Sequence, residues 1–176
     1  SDVCSSDLGE IPVYQEPVKP PPTPGGVVLL GDSTTAARPG QVRKVCADHV
    51  EDALRGVASS LSVHNAGVGS DTTRGACNRL EKDVLAYQPR VVVIQFGIND
   101  AAVDVWRDPP ATASRVPLSE YEANLRRLVA TLRAHRARPV LMTTNPTRWT
   151  ARLRDLYGKP PYRPEDADGF DAPVLG

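Results

Sequence analysis

Three short runs in this 176-residue chain hold side chains suited to acyl transfer. Gly31-Asp32-Ser33-Thr34 offers a hydroxyl, Asn65-Ala-Gly-Val-Gly-Ser-Asp-Thr72 a Gly-rich turn, and Gly97-Ile-Asn99-Asp100 a side-chain amide. Attack on an ester carbonyl needs an exposed hydroxyl and N–H donors aimed at the oxygen that gains charge. Ser33, at a strand-to-helix turn, can supply its hydroxyl and its own backbone N–H. The Gly69-Ser70 turn can supply a second N–H, and the Asn99 side chain a third. A nucleophile with three convergent donors is half of an acyl-transfer site; the other half is a base that takes the hydroxyl proton. Asp32 reads as structural, accepting bonds from nearby backbone N–H groups, and not as the catalytic acid.

The elements that position these runs follow from hydrophobic pattern. Val27–Leu30 is an apolar run ending at a Gly, as a buried parallel strand should be. Val42, Cys46, Val50, Ala53 and Val57 then recur at helical spacing, predicting a helix over 39–57 with Pro39 in its first turn. Leu61–His64 is a weak second strand, and Thr72 or Thr73 caps a helix running to about Tyr87. Val91–Phe96 is the clearest strand, β-branched and almost wholly apolar. Ser119-x-x-Glu122 forms a capping box for a helix to about Ala137, with Tyr121, Leu125, Leu128, Val129 and Leu132 as its apolar stripe. Val140–Thr144 is a fourth strand, closed by Asn145-Pro146, and a short helix at most follows Trp149. Strands alternating with helices imply a doubly wound α/β sheet, and each of the three runs then falls at a strand's carboxyl end, where such sheets bind ligands.

The motifs GDST after an apolar strand, NAGVGSDTT some way on, and FGIND at the end of a third strand resemble those of the SGNH hydrolases, the GDSL esterases and lipases. The resemblance covers about Val27 to Asn145. It implies a three-layer α/β/α, flavodoxin-like domain with a parallel sheet of order 2-1-3-4, here without the fifth strand and last helix. It implies Ser33 as nucleophile and an oxyanion hole from the Ser33 N–H, the Gly69-Ser70 turn and Asn99. Two departures stand out. Ser70 occupies the position where the family usually has the oxyanion glycine, which a serine can fill unless the backbone there is one that only Gly adopts. The family's last motif is D-x-x-H, and no Asp of this chain has a His three residues later.

The three histidines are weak substitutes for that base. His49 is placed on the apolar side of its helix as a core residue, His64 precedes the second motif from the wrong side, and His135 lies near a helix end. The catalytic His and Asp are therefore expected beyond Gly176, and the chain as it stands is expected to be inactive. The resemblance lies nearest to bacterial carbohydrate O-acetylesterases. It implies hydrolysis of small acyl esters on carbohydrates, with lysophospholipase or thioesterase activity, or a non-catalytic binding module of the same fold, as alternatives. Trp106, Arg148 and Trp149 fall in loops that would rim the cleft and contact substrate.

Composition bounds the rest. The 21 basic and 21 acidic residues cancel, which argues against a polybasic face for nucleic acid. No apolar run reaches the roughly 18 residues of a membrane span. Cys4, Cys46 and Cys77 form no CxxC pattern; the last two read as small core residues. Asp166–Asp171 fits a calcium loop poorly, lacking the closing Glu, and no metal or organic cofactor is expected. Residues 1–26 read as a Pro-rich lead-in, of which Ser1–Leu8 resemble a translated sequencing adapter, and 27–176 as the domain. The lead-in tilts the expected location towards a secreted or cell-surface bacterial protein, with the oligomeric state open.

Overall fold

The structure, a computed structural model, describes residues 25–58, 60–144 and 150–158. Four parallel strands form one sheet: β1 (Val27–Gly31), β2 (Val63–Gly67), β3 (Val91–Gln95) and β4 (Arg138–Leu141), in the order β2-β1-β3-β4. Among the described residues five α-helices connect or follow them: α1 (Cys46–Arg55), α2 (Thr73–Asp83), α3 (Ile98–Ala101), α4 (Leu118–Ala134) and α5 (Ala151–Tyr157). This is the order and the α/β class that the sequence motifs imply.

Alternation along β1 and β3 builds two layers of core. Val28, Leu30, Val92 and Ile94 point to one face and pack with Ala76, Leu80 and Val84 from the α2 segment and Leu128 and Leu132 of α4. Val27, Leu29, Val91 and Val93 point to the other face, against Val45, Ala47, Val50 and Leu54 of the α1 segment. Both faces of the central strands are covered, so their sequences read as continuous apolar runs. Cys46 and Cys77 pack beside these cores as free thiols, as small apolar residues would.

Several boundaries differ from the sequence expectation. The first helix begins at Cys46 and not at Pro39, because Arg38–Val42 close on themselves as tight turns and Gly40 takes a positive φ of 77°. Asp48 then caps the true start by accepting from the Val45 N–H at 2.8 Å. With the helix ending at Arg55, Val57 is left 82% exposed, and Ala53 and His49 also face solvent. His49 is thus not a core histidine. β2 runs on through Asn65, Ala66 and Gly67, residues of low strand propensity, because pairing with Leu29, Leu30 and Gly31 of β1 carries them. β4 starts at Arg138, two residues early, in register with Val91 of β3.

The Ser119–Glu122 capping box does not form. Pro117 is the cap of α4, so both residues lie inside the helix, and Glu122 pairs instead with Arg126 one turn on, at 2.7 Å. Thr72 does cap α2, accepting from the Gly75 N–H. The Gly97–Asp100 run opens a short helix, α3, with Gly97 at its cap. Residues 1–24, Arg148, Trp149 and the Asp166–Asp171 loop lie outside the described residues.

Candidate active site

Parallel pairing puts the three motifs at one level. Gly31 is opposite Gly67 on one side and Gln95 on the other, so β1, β2 and β3 end together and their motifs leave the sheet side by side.

The first motif is a turn and not the start of a helix. The buried Asp32 accepts at Oδ1 from the Thr34 N–H and from its hydroxyl, both at 2.8 Å, while its carbonyl accepts from Thr35 N and Ala36 N. That is the structural role its sequence position suggested. Ser33 sits at the apex, half-buried, and its hydroxyl has no hydrogen-bond partner among the described residues. The turn is bolted to β2: Asn65 Nδ2 donates to the Thr35 carbonyl at 2.8 Å while its Oδ1 accepts from Gly67 N at 2.9 Å. A Cβ on Gly67 would run into the Ala36 backbone, so the close approach of the two motifs requires glycine there.

The second motif turns sharply after Val68, whose N–H donates to the Gly31 carbonyl at 3.0 Å. Ser70 adopts φ 60°, the left-handed region where the usual glycine is at ease. A serine tolerates it at a cost of about 1–2 kcal/mol, so its N–H can still be presented. Arg79 of α2 reaches under this turn. Its Nε donates to Asp71 Oδ2 at 2.7 Å, Nη1 to the Ala66 carbonyl at 2.8 Å and to Asp83 Oδ2 at 3.2 Å, and Nη2 to the Gly31 carbonyl at 3.1 Å. One guanidinium thereby ties the ends of β1 and β2 to the turn and to α2.

The third motif leans on the second. Asn99 Nδ2 donates to the Asp71 carbonyl at 2.9 Å, which brings its amide beside Ser70. The buried Asp100 accepts at Oδ1 from the Thr73 N–H at 2.9 Å and from its hydroxyl at 2.6 Å, clamping the start of α2 to α3. Asn124 of α4 donates to the same Thr73 hydroxyl at 3.1 Å. Among the described residues, Asp100 Oδ2 is buried without a partner. Burial raises the Asp100 carboxyl above its ordinary range, against the opposing pull of the Thr73 bonds. Behind Asn99, Arg115 donates to Asn99 Oδ1 at 3.4 Å and forks onto Asp104.

Neither His64 nor His135 joins this edge. His64 is the second residue of β2, opposite Val28 and stacked on Tyr87 at 3.8 Å. It lies three positions before Gly67, about 10 Å along the strand. His135 closes α4 at the opposite, amino edge of the sheet and is exposed, its Nδ1 2.9 Å from the Thr131 carbonyl. Trp106 is 46% exposed, with the Arg107 guanidinium 5.5 Å from its ring centre. No helix among the described residues is long and apolar enough to cross a membrane.

The fold, the motif order and the turn geometry converge on one family. The sequence profile of the GDSL-like lipase/acylhydrolase family matches residues 29–168. The chain belongs to that family. Its relatives include the uncharacterized lipoprotein YqeF of Bacillus subtilis, 34% identical over an alignment of 125 positions that covers 68% of this chain and 48% of the relative. An acetylxylan esterase of Geobacillus stearothermophilus is 36% identical over an alignment of 117 positions that covers 58% of this chain and 52% of the relative. Among solved structures, a lipase/acylhydrolase from Enterococcus faecalis superposes with a TM-score of 0.56 and 29% identity, covering 75% of this chain and 67% of that one. The chain spans about half the length of the curated relatives it matches.

Sequence reading missed the side chains that hold this GDSL-family edge together. Arg79, Arg115 and Asp104 carry no motif, and Gln95, whose Oε1 accepts from the Thr35 hydroxyl at 3.3 Å, carries none either, yet they make the cross-links. One signal was available: Asp104 stands between Val103 and Val105, and an acid buried along with such neighbours must be paired. Both valines are buried, and so is Asp104.

Proposed function

We propose that the protein is a serine esterase that removes small acyl groups, O-acetyl above all, from carbohydrate esters. The observation that carries this reading is the common level of Ser33, the Ser70 turn and Asn99 at the carboxyl ends of β1, β2 and β3. Ser33 Oγ attacks the ester carbonyl carbon and loses its proton to a base. The carbonyl oxygen becomes an anion held by the N–H groups of Ser33 and the Gly69-Ser70 turn and by Asn99 Nδ2. Collapse expels the alcohol, which takes the proton, and leaves an acyl-Ser33. Water then attacks under the same base, releasing the acid and restoring the hydroxyl.

Supporting the acetyl preference is the similarity to the Geobacillus acetylxylan esterase. An exposed Trp106 at the loop after β3 suits a sugar ring, with Arg148 and Trp149 proposed as further substrate contacts. The base is proposed to come from residues C-terminal to Gly176, because His64 lies back along β2, His135 lies at the opposite edge of the sheet, and His49 is exposed on α1. The 176-residue chain by itself should then turn over slowly or not at all, since a missing base costs several powers of ten in rate.

The test is to extend the expressed chain along its gene beyond Gly176 and assay both forms on p-nitrophenyl acetate and acetylated xylo-oligosaccharides. The expected result is acetate release by the longer form, abolished by Ser33→Ala, and almost none by the 176-residue form. Robust turnover by the shorter form that Ser33→Ala removes would return the base to one of the three histidines. No release by the longer form on any ester would favour a binding module of the same fold.

A further inference from the structure

We infer that Arg115 is a positioning residue: it sets which end of the Asn99 amide faces the substrate. The inference rests on the esterase reading above and deepens it. An asparagine amide has two ends of nearly the same shape and opposite polarity. Turned one way, Asn99 offers Nδ2–H to a developing oxyanion; turned the other, it offers Oδ1 and repels it.

Contacts at both ends decide the orientation in this chain. Nδ2 donates to the Asp71 carbonyl at 2.9 Å, and Oδ1 accepts from Arg115 Nη1 at 3.4 Å. A carbonyl only accepts and a guanidinium only donates. A flipped amide would set oxygen against oxygen and N–H against N–H, losing both bonds and adding two repulsions. The unflipped amide spends one Nδ2 hydrogen on Asp71 and leaves the second for a ligand.

Arg115 can do this only because it is itself held. Its Nε lies 3.0 Å and 3.2 Å from the two Asp104 oxygens and its Nη2 2.6 Å from Oδ1. The Asp104 carboxylate is 3% exposed and also accepts from Arg107 Nη2 at 2.6 Å. The backbone is pinned too: Arg115 N donates to the Ala102 carbonyl and Val116 N to that of Asp100, both at 3.0 Å. Val103 and Val105 fill a small core of their own with Ala111 and Tyr157 of α5. The loop from Ala102 to Pro117 is thus a compact bracket that places one guanidinium against one amide oxygen.

The experiment has two arms. In the 176-residue chain, NMR of the Asn99 side-chain amide should show two resolved protons with slowed exchange. Arg115→Gln should speed that exchange about tenfold or more, while Arg115→Lys, which keeps the charge but not the fork, should fall between. In the esterase-active form, Arg115→Gln should lower kcat about tenfold to a hundredfold with KM within about twofold. In an Asn99→Ala background the same change should cost less than about twofold, because the amide it orients is gone. Unchanged Asn99 signals in both Arg115 variants, or a full multiplicative loss in the Asn99→Ala background, would overturn the inference. A wild-type enzyme without esterase activity would sink the esterase reading instead, and the amide signals would still judge Arg115.

Discussion

Arg79→Met removes a guanidinium and leaves an apolar stem of similar reach, so it isolates the polar function of that side chain. Four contacts go with it: to Asp71, to Asp83 and to the carbonyls of Ala66 and Gly31. A hydrogen bond to a charged group contributes about 1.5–3 kcal/mol, and stripping one partner from a buried ion pair costs about 3–5 kcal/mol. The full sum does not apply here. Arg79 and Asp71 keep 15% and 11% of their side-chain surface in water, Gly31 O still accepts from Val68 N, and Asp71 Oδ1 still accepts from Thr72 N. The expected loss is about 3 kcal/mol, near the lower end of the buried-pair range.

Urea denaturation followed by far-ultraviolet circular dichroism measures that loss. With a slope of about 1.5–2 kcal/mol per molar, the midpoint should fall by about 1.5–2 M. Arg74→Met is the matched control. Arg74 lies on the same helix as Arg79, and its loss breaks a two-pronged ion pair at 2.7 Å to Glu120 of α4, but the partners are 52% and 37% exposed. Exposed pairs contribute little, so its midpoint should stay near that of the parent. If Arg79→Met moves the midpoint by less than about 0.5 M, or if the two variants fall together, the guanidinium is not the tie between the motifs.

Three further outcomes follow from the same edge. Asp100 has its carboxyl raised above 3.8 by burial, so the native state holds the proton more tightly than the unfolded chain. Its stabilising contribution is complete below 3.8 and lost as pH rises through the elevated folded value. Asp100→Asn should flatten that decline in urea titrations at stepped pH, and parallel curves for parent and variant would contradict it. Gly67→Ala drives a Cβ into the Ala36 backbone and should cost about 1–3 kcal/mol in a thermal melt; an unchanged melt would mean that the two motifs are not in close contact. Ser70→Gly relieves the left-handed strain while freeing the unfolded chain, so stability should change by less than about 1 kcal/mol. Ser70→Val at the same φ should be clearly worse, and equal stability of the two variants would remove the case for a strained turn.

How much of this was visible in the sequence depended on which interactions were local. β1 and β3 were legible because each is an apolar run ended by a glycine, and burial on both faces leaves no other reading. The far end of β2 was not, because Asn65-Ala66-Gly67 has no strand propensity and is carried by its pairing with β1. The start of α1 failed for the opposite reason: hydrophobic spacing continued back through Val42, while Gly40 at positive φ broke the backbone beneath it. Ser33, Ser70 and Asn99 are proposed from short motifs, whereas the side chains that hold them belong to no motif. Arg79 bonds to residues on two strands and a turn, and such partners are joined by the fold and not by spacing.

The sheet and the charged side chains divide the work of positioning. Parallel pairing fixes the height at which the motifs leave the sheet, but beyond Gly31, Gly67 and Gln95 no ladder remains to hold them sideways. Arg79 takes over between the first and second motifs, the Asn99–Asp71 and Thr73–Asp100 bonds between the second and third, and Arg115 behind the third. Each proposed oxyanion donor is therefore held by contacts within the described residues, without help from a general base. Loss of the base and loss of the donors should then be separable defects. A chain lacking the base keeps its donor geometry, whereas Arg79 or Arg115 variants disturb the donors and leave any base untouched. Such prior ordering is what lets a donor stabilise charge at the moment it forms, without spending binding energy on reorganisation.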